Sequence, residues 1–175
     1  MRTVFASSVC PETRQVQSFN IEPAGYGPQT AAVLTDLVIR SKASCTDEEG
    51  QLLYTPDQIE AKRPYLVVTE SHLAKPSLRF YIAKHDRGVL VGMACLRVPD
   101  DKRNRNGELR WMFVEPDVKG SGCGRALWNT ITAVARNEGL LSFQICFEAA
   151  AEAFYRRVGG ERLKQTSENQ FRYFV

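Results

Sequence analysis

The chain has 175 residues, of which 43% are hydrophobic and 25% are charged, and its formal net charge is +3. This length and composition predict a single globular domain with a sizeable core. So mild a charge argues against a protein that binds mainly to phosphate backbones, and no nucleic-acid partner is expected. No apolar run reaches membrane-spanning length, and residues 4–10 are too short and polar for a signal peptide, so we expect a cytoplasmic protein without a membrane partner.

Cysteines and histidines give no sign of a disulfide framework or a metal site. The five cysteines are odd in number and scattered, and no Cys-x-x-Cys pair occurs. Reduced thiols are therefore expected. The two histidines, His72 and His85, are too isolated for metal ligands, and neither accompanies a recognisable hydrolase nucleophile motif. We predict no metal.

The first part of the chain predicts an extension, a strand and a helix. Residues 1–12 are assigned to an N-terminal extension and residues 13–175 to one domain. Residues 15–21 alternate apolar with polar side chains, which predicts a strand, and residues 30–42 carry apolar side chains at helical spacing.

A second helix begins at a capping box. Thr55 is followed by Pro56 and, three residues on, by Gln58, which is the pattern of a capped helix with proline in its first turn. Pro64 is predicted to interrupt this helix, and residues 65–75 form a weaker helical piece.

Three strands in succession predict an antiparallel meander. Residues 78–84, 89–98 and 108–114 are strand-like and closely spaced. Asn106 and Gly107 form a dipeptide typical of turns, so we place the tip of the last hairpin there.

The remainder predicts alternating helices and strands. A helix over residues 122–137 precedes an alternating strand over 141–147, which the crossover would place parallel to the third meander strand. A last helix over 149–158 precedes a final edge strand over 171–175.

A glycine-rich turn between strand and helix is the most informative segment. Gly120, Gly122 and Gly124 alternate, and Lys119 and Arg125 flank them without an acid from residue 118 to 127. Alternate glycines expose backbone N–H groups, and a helix N-terminus favours anions. The segment therefore predicts a phosphate cradle, although glycines alone are also compatible with a purely structural turn.

Two common phosphate motifs do not fit. A triphosphate loop requires Lys-Ser/Thr after its last glycine, where Arg125 and Ala126 stand. A dinucleotide fingerprint requires a third glycine where Arg125 or Leu127 stands.

Instead, Lys119-Gly120-Ser121-Gly122-Cys123-Gly124 resembles the acetyl-CoA loop of the GNAT superfamily of N-acetyltransferases, Arg/Gln-x-x-Gly-x-Gly/Ala. Residues 151–159, Ala-Glu-Ala-Phe-Tyr-Arg-Arg-Val-Gly, are similar to the family's Ala-x-x-Phe-Tyr-x-x-x-Gly helix, and the two motifs lie at the family's mutual spacing. Lys119 stands where Arg or Gln is usual, Glu148 where Asn is common, and Gly160 where Phe is common.

The resemblance, over residues 13–175, implies an α/β fold of GNAT type. Its central sheet would be mixed but mostly antiparallel, with a splayed parallel strand pair, and flanked by helices. Acetyl-CoA would be the co-substrate. The cofactor-binding residues that the resemblance implies are Met112, Phe113, Val114, Lys119, Gly120, Ser121, Gly122, Cys123, Gly124, Arg125 and Glu148.

The resemblance also implies two catalytic residues. Tyr155 would be the acid that protonates the departing thiolate, and Glu108 the base that takes the amine proton. From the residues alone, Tyr155 could simply pack and Glu108 could be a solvated acid, and many relatives use a water chain as base.

We therefore expect an N-acetyltransferase that acts on a primary amine of a small molecule or a protein, and dimers are common in the family. Alternatives are a non-catalytic acyl-CoA-binding module and an enzyme acting on an RNA-borne amine. The acceptor would be selected by residues 25–29, 44–76 and 99–107.

Overall fold

A computed structural model describes residues 18–47, 49–163 and 170–175. The predicted extension and the start of the first predicted strand lie outside these residues. Within them, seven strands form one sheet in the order β1-β2-β3-β4-β5-β7-β6. The strands are β1 (Phe19–Pro23), β2 (Leu78–His85), β3 (Leu90–Arg97), β4 (Asn106–Val114), β5 (Ser142–Cys146), β6 (Glu161–Arg162) and β7 (Gln170–Phe174).

The sheet is mixed in the way the resemblance implies. Neighbouring strands pair antiparallel, except that β4 and β5 pair in parallel. The helices are α1 (Pro28–Ala43), α2 (Pro56–Leu66), α3 (Glu70–Ala74), α4 (Cys123–Asn137) and α5 (Glu152–Arg157). Short 3₁₀ helices at Pro116–Val118 and Ala149–Ala151 precede α4 and α5. Of the helices in the described residues, none combines the length and apolar character needed to span a membrane.

The core has one layer on each face of the sheet because alternate residues of a strand point to opposite faces. On β3, Ala94 and Leu96 belong to the buried cluster that includes α4 residues. Met93 and Cys95 belong to the cluster that includes α1 residues. The α4 cluster also holds the inward side chains of β5, where the ring centroid of Phe143 lies 5.5 Å from that of Trp128 of α4.

The predicted capping box forms, but the predicted interruption at Pro64 is wrong. Thr55 accepts from the Gln58 backbone, and the Gln58 side chain accepts from the Thr55 N–H at 2.9 Å. Pro64 lies inside α2, which continues to Leu66. Leu66 is buried in the α1 cluster, and this packing offsets the one backbone hydrogen bond that the proline lacks.

The predicted turn at Asn106 and Gly107 is also wrong, since both residues begin β4 and pair with β5. The bend lies earlier, around residues 100–103. A Cβ on Gly107 would lie 2.7 Å from Leu140 Cδ1 and 2.9 Å from the Arg97 carbonyl oxygen. The glycine is therefore explained by close packing instead of by turn geometry.

The last predicted strand forms as β7, but it is not an edge. It lies between β5 and the short β6, which pairs with it through Glu161 opposite Arg172. Strand β6 is not predicted from the sequence, because two residues are too few to show an alternation of apolar and polar side chains.

Candidate active site

The parallel strands β4 and β5 diverge halfway along β4. Their pairing runs from Asn106 opposite Ser142 to Leu109 opposite Ile145. Strand β4 then continues to Val114, whereas β5 ends at Cys146. Within the described part of the chain, residues 110–114 thus have no strand partner on the β5 side, which leaves backbone groups free to bind an extended ligand.

A β-bulge lies at the point of divergence. Cys95 of β3 is opposite Trp111 and the next residue, Leu96, is opposite Leu109, so Arg110 is the extra residue. A bulge bends its strand and increases the local twist. This bend explains why β4 turns away from β5 directly after Leu109.

The glycine-rich segment forms a tight turn at the N-terminus of α4. Gly120 and Gly122 have φ angles of 81° and 102°, a region that side-chain-bearing residues rarely adopt. Gly122 is the N-cap and supplies no side-chain hydrogen bond, and the first turn of α4 contains no acid. In the described structure, the first N–H groups of the helix therefore have no side-chain cap and no carboxylate in their own turn, which leaves them available to an anion.

The two cations of this segment have no carboxylate partner among the described residues. Lys119 Nζ donates to Ser44 Oγ at 3.0 Å, and the Arg125 side chain is exposed. Both positive charges lie at the positive end of the α4 dipole, where an anion would offset them.

The turn adjoins the end of β4 and α5. A Cβ on Gly124 would lie 3.6 Å from the ring of Phe154 and 3.9 Å from Val114 Cγ2. The structure thus brings together the β4 segment that ends at Val114, the glycine-rich turn and the helix that carries Tyr155.

Tyr155 is buried in an aromatic cluster on the α4 face. Its ring centroid lies 5.3 Å from Phe154, 5.8 Å from Phe147 and 6.0 Å from Trp128. Burial disfavours the phenolate and raises the pKa of Tyr155, so that the hydroxyl stays protonated at neutral pH. Among the described residues, the hydroxyl has no hydrogen-bond partner, and this leaves its proton available to a ligand.

Sequence reasoning missed Trp128, whose ring packs on Tyr155, Phe143 and Tyr173. Trp128 follows Leu127 in α4. A tryptophan beside a residue that the helical spacing places inward is the sequence feature that could have indicated its burial.

Glu108 lies on the other face of β4, two residues before the bulge. Its carboxylate is 3.4 Å from Arg97 Nη1 and 3.8 Å from Arg110 Nη1. It lines a cavity of about 280 Å³ together with Gln144, its partner on β5. Tyr155 and Glu108 therefore flank the parallel strand pair from opposite faces.

Glu148 is engaged by the protein itself. One carboxylate oxygen pairs with Lys42 Nζ, and the other accepts from the Tyr54 hydroxyl at 2.5 Å. Burial disfavours the carboxylate, but the bonds from Lys42 and Tyr54 outweigh it and hold the pKa of Glu148 below its ordinary value. Its assignment to the cofactor stays a prediction.

The profile of the acetyltransferase (GNAT) family matches residues 44–160, more than half of the chain. The chain belongs to the GNAT family. It is 32% identical over 109 residues to an IAA acetyltransferase of Azospirillum brasilense, a match that covers 61% of this chain and 69% of that protein.

Solved GNAT structures share the fold. The PaiA N-acetyltransferase of Thermoplasma acidophilum, crystallised with coenzyme A, superposes with a TM-score of 0.74 at 14% identity, over 90% of this chain and 99% of that one. A GCN5-related N-acetyltransferase of Rhodopseudomonas palustris gives a TM-score of 0.69 at 22% identity, over 92% and 99%.

The GNAT assignment confirms the predicted fold and family. It also makes this protein an acetyl-CoA-dependent acyltransferase, so the predicted co-substrate and reaction class are confirmed. The roles of individual residues in the site stay predictions.

Proposed function

We propose that this protein is a cytoplasmic N-acetyltransferase that transfers the acetyl group directly from acetyl-CoA to a primary amine of a small molecule or a protein. The observation that carries the proposal is the divergence of β4 from β5 beside the glycine-rich turn. It offers an extended ligand an unpaired strand edge that leads to an anion site.

The donor would be held by consecutive parts of the chain. Backbone groups of Met112, Phe113 and Val114 would pair with the pantetheine arm along the free edge of β4. The turn from Lys119 to Arg125 would hold the pyrophosphate, through the N–H groups of Gly120, Gly122, Cys123 and Gly124 and the two flanking cations. The Ser121 N–H donates to the Val118 carbonyl at 3.2 Å, so Ser121 would shape the turn. This arrangement is supported by the absence of acids in the first turn of α4.

The chemistry is helped by a base that takes a proton from the amine and by an acid that protonates the departing thiolate. Acetyl-CoA supplies an acyl group activated as a thioester. Glu108 would take a proton from the ammonium group of the acceptor, so that the amine nitrogen can form a bond to the acetyl carbon. Tyr155 would give its proton to the departing sulfur as the C–S bond breaks, and the nitrogen would release its second proton, which restores the Tyr155 phenol. The products are an amide and free CoA, and the proton on Glu108 passes to solvent.

Thermal unfolding with added ligand tests donor binding. Acetyl-CoA at 100 times its dissociation constant should stabilise the fold by about 2.7 kcal/mol, which raises the melting temperature by roughly 5–10 °C in a chain of this size. Coenzyme A should act similarly, and ATP should have no effect. If acetyl-CoA does not raise the melting temperature, the proposed donor site is wrong.

Thiol release with a panel of amines, with the acetylated product identified by mass spectrometry, tests the reaction. Turnover with at least one amine supports the proposal. Binding of acetyl-CoA without turnover on any amine would favour the alternative of a non-catalytic module. Sedimentation of the same protein tests the further proposal, from the resemblance, that it forms a homodimer.

A further inference from the structure

A row of polar side chains crosses the sheet beside Glu108. Arg97 of β3 is opposite Glu108 of β4, Glu108 is opposite Gln144 of β5, and Gln144 is opposite Arg172 of β7. Residues paired laterally project from the same face of a sheet. The four side chains therefore stand side by side, and all four line the cavity of about 280 Å³.

A second cavity adjoins the first through Arg97. Its volume is about 250 Å³, and its lining comprises His72, Lys75, Leu78, Arg97 and Arg110. Together the described residues that line the two cavities include four permanent cations (Lys75, Arg97, Arg110 and Arg172) and one carboxylate, that of Glu108. The whole chain is nearly balanced, with 23 basic and 20 acidic residues, so this excess is local.

The described residues around these cations neutralise them only in part. Arg97 and Arg110 share the single carboxylate of Glu108, at 3.4 and 3.8 Å. Glu161 of β6 lies opposite Arg172 on the same face, but among the described residues neither Arg172 nor Lys75 forms an ion pair. The pKa of the neighbouring His72 is lowered by burial first and then by the charges of Arg110 and Lys75, as expected in a positive environment.

The position of this row relates it to the reaction. Glu108 and Gln144 form the last pair but one before β4 and β5 diverge. An acceptor whose amine approaches Glu108 would therefore extend into the two cavities. Guanidinium groups bind carboxylates through paired hydrogen bonds, and cavities of this size accommodate a small molecule.

We propose that the natural acceptor is a small primary amine that also carries a carboxylate group, which Arg97 and Arg172 bind while the amine faces Glu108. This inference rests on the proposed function, because it names the acceptor class of the same site. A carboxylate bound to Arg97 competes with Glu108 for that guanidinium and so loosens the ion pair of the candidate base.

The test compares matched acceptors at saturating acetyl-CoA. Amino carboxylates of increasing chain length are assayed beside their carboxamides, which keep the amine and the chain but lack the charge. We expect kcat/KM to be roughly 10- to 100-fold higher for the best carboxylate, the value of one charge-assisted contact pair. Arg172→Gln should abolish this preference by lowering kcat/KM for the carboxylate roughly tenfold or more beyond any loss for the carboxamide, and Arg172→Lys should retain part of the preference.

A matched control removes the same charge elsewhere. Arg136 is exposed on α4, on the other face of the sheet, and Arg136→Gln should keep the full preference. Equal kcat/KM for carboxylates and carboxamides would overturn the inference and leave the proposed function standing. An equal loss for both acceptors in Arg172→Gln would also overturn it, since the arginine would then act only on the fold.

A binding measurement separates the two proposals. Calorimetric titration of the CoA-saturated protein with an amino carboxylate, and with its carboxamide, does not depend on turnover. If no amine is acetylated, the proposed function fails, and selective binding of the carboxylate that is lost in Arg172→Gln would still support the anion site. Absence of selective binding would overturn the inference.

Discussion

Lys42 and Glu148 form an ion pair between the last turn of α1 and the segment that follows β5. Tyr54, which precedes α2, donates to the same carboxylate. Helix α1 packs against the cluster that includes Trp111 and Phe113 of β4. The contact therefore ties the helix that packs on β4 to the segment that follows β5, across the gap between the two strands.

Glu148→Gln should lower the free energy of unfolding at pH 7 by about 1 kcal/mol, a modest value because the carboxylate is partly exposed. A lowered folded pKa contributes stability above the unfolded pKa, near 4.5, and this contribution is lost as the pH falls through the folded value. Urea unfolding should therefore show a difference at pH 7 that shrinks below pH 4.5.

Glu60→Gln is the matched control, since Glu60 pairs with Arg63 on the exposed surface of α2. It should change stability by less than about 0.5 kcal/mol. The Glu148→Gln protein also tests the predicted cofactor role: unchanged affinity for acetyl-CoA would assign this carboxylate to the ion pair alone.

Tyr155→Phe should reduce kcat by about 100-fold or more and leave the KM for acetyl-CoA nearly unchanged, because it removes only the acid. Since burial raises the pKa of Tyr155, the wild-type rate should show no alkaline loss from this group below about pH 10. Steady-state rates from pH 6 to 10 check both points. Unaltered kcat with intact folding would reduce Tyr155 to a packing residue.

Gly122→Asp should abolish binding of acetyl-CoA, because it places a carboxylate at the N-terminus of α4 and a side chain at a φ of 102°. The matched control is Gly50→Asp, since Gly50 also has a positive φ, of 82°, and open space around its Cβ position. Both variants should lose some stability from backbone strain, and only the first should lose the donor.

Calorimetry with acetyl-CoA and with acetyl-pantetheine, which lacks the pyrophosphate, checks the Gly122 prediction. The shorter donor should bind both variants equally. Undiminished affinity of Gly122→Asp for acetyl-CoA would rule out this turn as the pyrophosphate site.

Cys95→Ala should change how stability depends on alkaline pH. Burial raises the pKa of the Cys95 thiol to about 12 from 9.0, so the unfolded chain loses this proton first as the pH rises. The thiol therefore contributes stability below pH 9 that is lost progressively above it, at up to about 1.4 kcal/mol per pH unit. Urea unfolding under reducing conditions from pH 7.5 to 10.5 should give a steeper decline for the wild type than for Cys95→Ala, whereas parallel declines would contradict the assignment.

Features encoded in short segments were predictable from the sequence. The glycine-rich turn and α4 depend on backbone conformation and on charges within a few residues, and the helix predicted over 122–137 is observed as Cys123–Asn137. The motif around Tyr155 is equally local. The capping box at Thr55 formed as predicted because both of its hydrogen bonds lie within three residues.

Local rules failed where a distant residue determines the outcome. Asn106 and Gly107 have the composition of a turn, but Leu140 and the Arg97 carbonyl approach Gly107 so closely that only a glycine fits in the strand. Pro64 breaks many helices, but the burial of Leu66 extends this one.

From the sequence alone, the resemblance of residues 119–124 and 151–159 to GNAT motifs predicted the fold, the donor and the reaction class, because each motif is a short contiguous segment. Only the tertiary structure decided what surrounds Glu108. Arg97, Gln144 and Arg172 are far apart along the chain, and no spacing rule connects them. They meet because the register of four neighbouring strands, and a bulge at Arg110, bring their side chains to one face of the sheet. That register is a property of the whole sheet, set by packing on both faces, and so is not written in any single segment.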